Sequence, residues 1–367
     1  MQIEAADIVV NVSPQKLVNV MNDAKKSARI VKLTYVSDSD EGIVRIKNGK
    51  SFSYKKGGKK ITDQDTLSRI KSLVIPPAWQ NVWICSLPNG HLQCTGVDVM
   101  GRKQYRYHPL WNALRKETKF YRLLQFGQAL KGIRKKLSAH LSGRDLSRQK
   151  VLAAVVSVMD KTGIRVGNNV YEKLYGSFGL STLKDQHIKI NGNKVHFSFR
   201  GKKGVYQNIS LKSARLAKII RQCKEIPGKE LFQYIDESGN RHSINSGDVN
   251  DYIKEISGGE FTSKDFRTWT GTVDCIGQFA KIGGFETQAE MKRNTVAAID
   301  CVAANLGNTR SVCKSHYIHP LVLAMYEDAR LLKYIQSGTL TKDSGNPALL
   351  EAVLLKILKK EKMTALK

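Results

Sequence analysis

The chain has 367 residues, with 60 Lys+Arg against 32 Asp+Glu and a formal net charge of +28. Apolar residues make up 41% of it, enough for a sizeable core, so wholesale disorder is excluded and the length suggests two or three domains. So large a positive excess repels itself in a compact state and points to a polyanionic partner, nucleic acid ahead of an anionic membrane surface.

Other classes fall away on local grounds. The longest purely apolar run, Val151 to Val156, is far too short to span a bilayer. The first residues, Met1 to Asp7, carry acid where a signal peptide needs base, which predicts a protein that stays inside the cell, in the cytoplasm or at the nucleoid of a bacterium. Six scattered cysteines without a CxxC read as reduced thiols, neither a disulfide framework nor a zinc site. The sequence has no GxxxxGK[ST] loop, which argues against a P-loop ATPase.

In chain order, the first hundred residues read as strands and loops. Ile43 to Tyr54 alternates short apolar stretches with Gly and Lys, and Lys55, Lys56, Lys59 and Lys60 flank a Gly57-Gly58 turn. Trp79 to Leu87 predicts a strand ending at the Pro88-Asn89-Gly90 turn, with His91 to Val99 pairing back as a hairpin. Asp38 to Glu41 lacks the remaining positions of a cation loop and reads as a solvated turn. From Leu110 to about Leu141, Leu123, Phe126, Leu130, Ile133 and Leu137 recur at helical spacing. The main boundary is placed at His108-Pro109, giving a β-rich domain over 1–108 and a mainly helical domain over 109–367. Within the second, His187 to Ile190, Val195 to Arg200 and Val205 to Ile209 predict a small three-stranded sheet, turning at Asn191-Gly192-Asn193 and Gly201 to Gly204. Asn346-Pro347 opens a last amphipathic helix. The fold class expected is therefore α+β, with two domains.

The charge is concentrated. Between Gly101 and Lys150 stand fourteen Lys/Arg and two acids, interleaved with Tyr105, Tyr107 and Trp111. That mixture suits contacts to phosphates, sugars and bases better than a merely solvated helix face.

Three further segments carry chemistry. Thr162-Gly-Ile-Arg-Val-Gly167 sets Arg165 among small residues, followed by Tyr171 and Ser177-Phe-Gly-Leu180; Lys264-Asp-Phe-Arg267 adds a second Arg; Leu306-Gly-Asn-Thr309 precedes Ser315-His-Tyr-Ile-His-Pro320. In this order, and with Thr95-Gly-Val-Asp-Val-Met-Gly-Arg-Lys-Gln-Tyr-Arg-Tyr-His108 upstream, the set resembles type IB DNA topoisomerases, above all their compact bacterial and poxvirus forms. The likeness runs from about Leu33 to about Tyr326.

That resemblance implies a two-domain clamp around double-stranded DNA and a strand broken and resealed through a 3′-phosphotyrosyl link, with no ATP, metal or other cofactor. Position by position it implies Tyr317 as nucleophile, Arg165 and Arg267 on the non-bridging phosphate oxygens, Lys202 as the acid for the leaving 5′ oxygen, and Lys264 as an assisting cation. Asn308 stands where the poxvirus enzymes have His and the bacterial branch has Asn. Arg102, Lys103, Tyr105, Tyr107 and Tyr171 are the expected DNA contacts. Lys203 beside Lys202 leaves open which of the two sits at the hairpin apex, and His316 and His319 are expected to shape the turn at Tyr317 or to touch DNA. A monomer is expected.

The residue types suit that chemistry independently. Negative charge builds on the phosphoryl oxygens, where fixed guanidiniums stabilise it. Neighbouring cations lower the pKa of a phenol, and a 5′ alkoxide leaves poorly without a proton. A tyrosine recombinase shares the nucleophile and the arginines but has His where Lys264 stands, and lacks the Gly96–His108 type of segment. A non-catalytic basic DNA-binding protein would explain the charge but not the co-occurrence of Arg165, Lys202, Arg267 and Tyr317.

Overall fold

The computed structural model describes residues 23–365 other than 50, 100, 102, 144 and 337–344. The chain forms two compact units, one holding the residues up to Arg122 and the other Leu123–Glu361.

In the first unit, α1 (Ala24–Ile30) precedes β1 (Ile43–Asn48), β2 (Ser51–Lys56) and β3 (Lys59–Lys60). After α2 (Gln64–Ser72) come β4 (Gln80–Ile84), β5 (Leu92–Val97) and β6 (Lys103–Tyr107). The six strands make one antiparallel sheet in the order β3-β2-β1-β4-β5-β6. Ile43, Val82, Ile84 and Cys94 from the sheet and Ile70 from α2 close a small core. The hairpin expected on either side of Pro88-Asn89-Gly90 is β4–β5, in which Ile84 pairs with Cys94. The two helices were not expected in this stretch. Each begins on an aspartate, Asp23 accepting from the Lys26 N–H at 3.0 Å and Asp63 from the Thr66 N–H at 2.8 Å. Such N-caps hold short helices whose apolar periodicity is too brief to read.

The second unit is mainly helical. α3 (Pro109–His140), within which the division falls, leads to α4 (Arg148–Thr162) and α5 (Asn169–Tyr175). Lys150 to Met159 of α4 are buried without interruption, as a helix apolar all round must be. Around α4 lie β7 (Ile188–Asn191), β8 (Lys194–Arg200) and β9 (Tyr206–Lys212), then α6 (Ala214–Glu225), β10 (Gln233–Ile235), β11 (Arg241–Ser243) and α7 (Ser246–Ser257). The helices that follow are α8 (Ser263–Ile282), α9 (Gln288–Leu306), α10 (Arg310–His316), α11 (Pro320–Glu327), α12 (Leu332–Ile335) and α13 (Pro347–Ala365).

β7, β8 and β9 form the antiparallel three-stranded sheet expected from the alternation, with Val195, Phe197 and Phe199 of β8 turned into the core. The β10–β11 hairpin was missed, because strands of three residues are too short to show a period of two. The fold is thus α+β, a strand-rich first unit and a helical second unit enclosing a small sheet.

Candidate active site

Arg165 stands on an irregular stretch, just past the end of α4, where Gly163 adopts the left-handed C-cap at φ 66°. Two backbone hydrogen bonds hold this stretch in place: the Leu180 N–H donates to the Arg165 carbonyl at 2.9 Å, and the Ser181 N–H to that of Val166 at 2.6 Å. A Cβ on Gly179 would lie 2.5 Å from the Gly167 nitrogen, so the spacing of Gly167 and Ser177-Phe-Gly-Leu180 encodes a contact only bare backbone permits. The half-buried Arg165 guanidinium donates to the Leu306 carbonyl at 3.4 Å, the Gly307 carbonyl at 3.3 Å and Asn308 Oδ1. Burial pulls its pKa down, and the Tyr317 phenol works the other way.

Arg267 lies in the first turns of α8, only 4% exposed. Its guanidinium donates to the Gly163 carbonyl, and at 2.9 Å to that of Leu306. The Leu306 carbonyl at the end of α9 therefore receives both arginines, and the negative end of a helix is a suitable anchor for cations. Burial, then the nearby Arg165 charge, lower the pKa of Arg267. A guanidinium nonetheless stays protonated at neutral pH. Its Nε and the Asn308 Nδ2 are both buried without a hydrogen-bond partner, two donors able to take an acceptor.

Tyr317 is the C-cap of α10, half-buried, with its N–H on the Cys313 carbonyl at 2.9 Å. The Arg267 guanidinium lies 4.9 Å from the centroid of its ring, a cation–π distance. Burial pushes the phenol up, but the charge and hydrogen bonding of Arg267, with Arg165 and Lys264 adding to them, outweigh it and hold the group below its ordinary 10.0. Lys264 stands three residues before Arg267 on α8, exposed. On the other side, the Thr272 hydroxyl, which donates to the Thr268 carbonyl at 2.8 Å, also lies 3.3 Å from the Tyr317 carbonyl and accepts the His319 N–H at 3.1 Å. His319 is the N-cap of α11, its Nδ1 accepting the Leu321 N–H at 3.1 Å, so this histidine shapes the turn after Tyr317. His316 is exposed.

The structure thus gathers Arg165, Arg267, Asn308 and Tyr317 at one place, with Lys264 a turn away. Lys202 stands apart from that cluster, exposed in the β8–β9 hairpin with its ammonium 5.9 Å from the centroid of the Tyr171 ring on α5. Lys203 takes the left-handed apex of the turn at φ 61°.

Of the expected DNA contacts in the first unit, Lys103, Tyr105 and Tyr107 all lie on β6. Lys103 pairs with Asp38 at 2.5 Å, and Asp38 also accepts the Thr95 hydroxyl at 3.0 Å. Tyr105 and Tyr107 stack, centroids 6.0 Å apart and planes at 8°. Arg102 lies outside the described residues, as does the acidic N-terminal stretch.

Thr272 and the Leu306 carbonyl escaped the sequence reading. A threonine within a helix carries no visible sign of a hydroxyl turned to a neighbouring loop, and a carbonyl has no sequence identity at all.

A strand-rich unit is followed by a helical unit that brings the Tyr317 phenol beside two guanidiniums, an arrangement suited to an enzyme acting on a phosphate group. Comparison with known proteins agrees. Residues 110–337 match the family described as eukaryotic DNA topoisomerase I, catalytic core, and residues 51–98 match the bacterial DNA topoisomerase IB N-terminal domain. DNA topoisomerase 1B of Acanthamoeba polyphaga mimivirus is 32% identical over 297 residues, covering 78% of this chain and 88% of its own. DNA topoisomerase 1B of vaccinia virus (strain Copenhagen) is 23% identical across 66% of this chain and 75% of its own. DNA topoisomerase 1 of Daucus carota is 26% identical across 55% of this chain and 26% of its own. The chain belongs to the type IB DNA topoisomerase family: it is an isomerase whose substrate is DNA. The recombinase and non-catalytic readings give way to that membership. Among the described residues no helix is long and apolar enough to cross a membrane.

Proposed function

We propose that this chain relaxes supercoiled double-stranded DNA as a monomer inside the cell, breaking one strand through a 3′-phosphotyrosyl intermediate, letting it rotate, and resealing it without ATP or an obligatory metal. The observation that carries the reading is the gathering of Arg165, Arg267 and Asn308 around the end of α9 with the Arg267 guanidinium 4.9 Å from the Tyr317 ring; the direction of the Tyr317 pKa agrees with it.

In cleavage the Tyr317 phenol gives up its proton to solvent, the phenolate oxygen attacks the scissile phosphorus, and the bond from phosphorus to the 5′ oxygen breaks. Arg165 and Arg267 stabilise the charge that develops on the non-bridging oxygens, the Asn308 amide donates one further hydrogen bond, and Lys264 adds positive charge. Lys202 delivers a proton to the departing 5′ oxygen, and the same groups run in reverse for religation. The covalent link conserves the energy of the bond, so the cycle needs no nucleotide. In this reading residues 1–108 are the DNA-clamping part, with Arg102, Lys103, Tyr105 and Tyr107 on the duplex, while 109–367 hold the chemistry and Tyr171.

The test is Tyr317→Phe on supercoiled plasmid in EDTA without ATP. Relaxation and the covalent adduct should vanish while DNA affinity stays near that of the native chain. An adduct that survives the substitution shows that another residue is the nucleophile.

A further inference from the structure

β9 breaks its own pattern. Its inward positions are Gln207, Ile209 and Leu211, and Gln207 is only 7% exposed. An apolar residue would satisfy the strand, so an amide at this position is a local inconsistency of the kind that marks functional sites.

The side chain of Gln207 lies between two glycines, each of which precedes a residue assigned to the chemistry. A Cβ on Gly307, which precedes Asn308, would fall 2.1 Å from Gln207 Nε2 and 2.8 Å from its Cδ. A Cβ on Gly201, which precedes Lys202, would fall 3.2 Å from Gln207 Cγ. The stem of the glutamine therefore rests on the base of the Lys202 hairpin, and its amide rests on the loop whose Gly307 carbonyl accepts from Arg165. The far side of the turn is braced as well, because a Cβ on Gly204 would meet the Arg200 guanidinium at 3.2 Å. The hairpin tip is otherwise open, with Lys202, Lys203, Val205 and Tyr206 all exposed.

We propose that Gln207 is a positioning residue which spans the gap between the β8–β9 hairpin and the Gly307-Asn308 loop and so sets where Lys202 stands relative to the arginine–tyrosine cluster. The inference rests on reading Lys202 as the general acid. It deepens that reading by naming what fixes an exposed, flexible lysine. Gln207 is buried against Gly201 and Gly307 and is given no part in the bond-breaking itself. Shortening it frees the hairpin from the loop and misplaces the proton donor, while Arg165, Arg267 and Tyr317 keep their own partners.

The test measures single-turnover cleavage by Gln207→Ala, Gln207→Asn and Lys202→Ala on two DNAs, one ordinary and one with sulfur at the scissile 5′-bridging position. In the sulfur DNA the bond from phosphorus to sulfur breaks and a thiolate leaves without needing a proton. Gln207→Asn keeps the amide but is one methylene too short to bridge, and it guards against an alanine variant that does not fold. The expected result is a loss on ordinary DNA on the order of 10²-fold for the Gln207 variants, the scale set by misplacing a catalytic group, with the rate of the native chain restored on sulfur DNA. Equal losses on both DNAs, with Lys202→Ala still rescued by sulfur, overturn the proposal while leaving Lys202 as the acid. Native rates for Gln207→Asn on ordinary DNA overturn it too. If sulfur does not rescue Lys202→Ala, the assignment of the acid itself fails, and the role of Gln207 falls with it.

Discussion

Gly271 of α8 sits one turn beyond Arg267, in a helix interior where glycine ordinarily costs roughly 0.5–1 kcal/mol against alanine. The reason for it is Tyr317. A Cβ on Gly271 would stand 2.8 Å from the Tyr317 carbonyl oxygen, 3.2 Å from the Tyr317 Cβ and 3.0 Å from Leu306 Cδ1. Ordinary contact begins at 3.4 Å, so Gly271→Ala drives the Tyr317 main chain away by about 0.6 Å in a close-packed interior that does not absorb such a shift elsewhere. Overpacking against backbone costs about 1–3 kcal/mol, more than the roughly 0.5–1 kcal/mol of helix propensity that alanine adds, so the thermal midpoint should fall by a few degrees. The chemistry is less tolerant, since a misplacement of about 1 Å at a reacting group costs on the order of 10²-fold. Covalent adduct formation on a DNA with a single cleavage site should therefore slow by roughly 10- to 100-fold while affinity for intact duplex is unchanged. An alanine variant that forms adduct at the native rate would show that the Tyr317 backbone is not held by α8, and the reasoning would be wrong.

Three other outcomes follow from the same geometry. Lys203 carries φ 61° without being glycine, so Lys203→Gly should relieve about 1 kcal/mol of backbone strain and leave cleavage intact; a sulfur-rescued loss in this variant would make Lys203 the acid. Because the Tyr317 phenol is held below 10.0 by cations that include Lys264, cleavage by the native chain should rise with pH and level off below that value. Lys264→Ala should move the inflection upward, and superimposable pH–rate profiles would remove Lys264 from the site. Glu351 on α13 accepts from Arg134 at 2.7 and 2.8 Å and from Trp269 Nε1 at 3.0 Å. Burial raises its pKa, but the hydrogen bonds from Arg134 and Trp269 outweigh this and hold it below the ordinary 4.5. A depressed carboxylate contributes stability above its unfolded pKa and loses it as pH falls through the folded one. Glu351→Gln should cost about 2 kcal/mol at neutral pH, under the range for fully buried pairs because Arg134 is 40% exposed and keeps Asp160. The melting temperature should drop by about 4–8 °C at pH 7, and the gap should close as pH falls through the folded pKa, which lies below 4.5; a gap that persists in strong acid would assign the loss to packing.

What the sequence discloses of the fold follows from how each element is stabilised. The three-stranded sheet and the long helix α3 are legible because each has a repeated apolar period, as in Val195, Phe197 and Phe199 of β8. α1, α2 and the β10–β11 hairpin escape, since seven-, nine- and three-residue elements are held by caps and turns more than by a face. Asp63 as an N-cap is visible in retrospect, but an aspartate before a mixed polar stretch fits a turn equally well. At the site, glycine spacing around Arg165 is legible because it encodes close backbone approach. Its partner carbonyls are not, because the chain brings Leu306 to Arg165 across 141 positions.

Side chains that hold other side chains in place are the hardest part of the site to read, and they decide how it is built. Arg165, Arg267, Asn308 and Tyr317 come from four segments, yet the end of α9 organises them all. Leu306 and Gly307 offer carbonyls to the two arginines, Asn308 follows directly, and Leu306 also abuts Gly271 beneath Tyr317. The cations are therefore fixed before any phosphate arrives, so little reorganisation remains to oppose charge development in the transition state. Lys202, the proton donor of the proposed mechanism, is treated oppositely. Lys202 stands on an exposed turn, tied to the α9 terminus through Gln207 and two glycines. Rigid cations with a tethered acid suit a reversible cleavage: charge stabilisation is needed in both directions, whereas the proton must move out to the 5′ oxygen and be taken back when the strand is resealed.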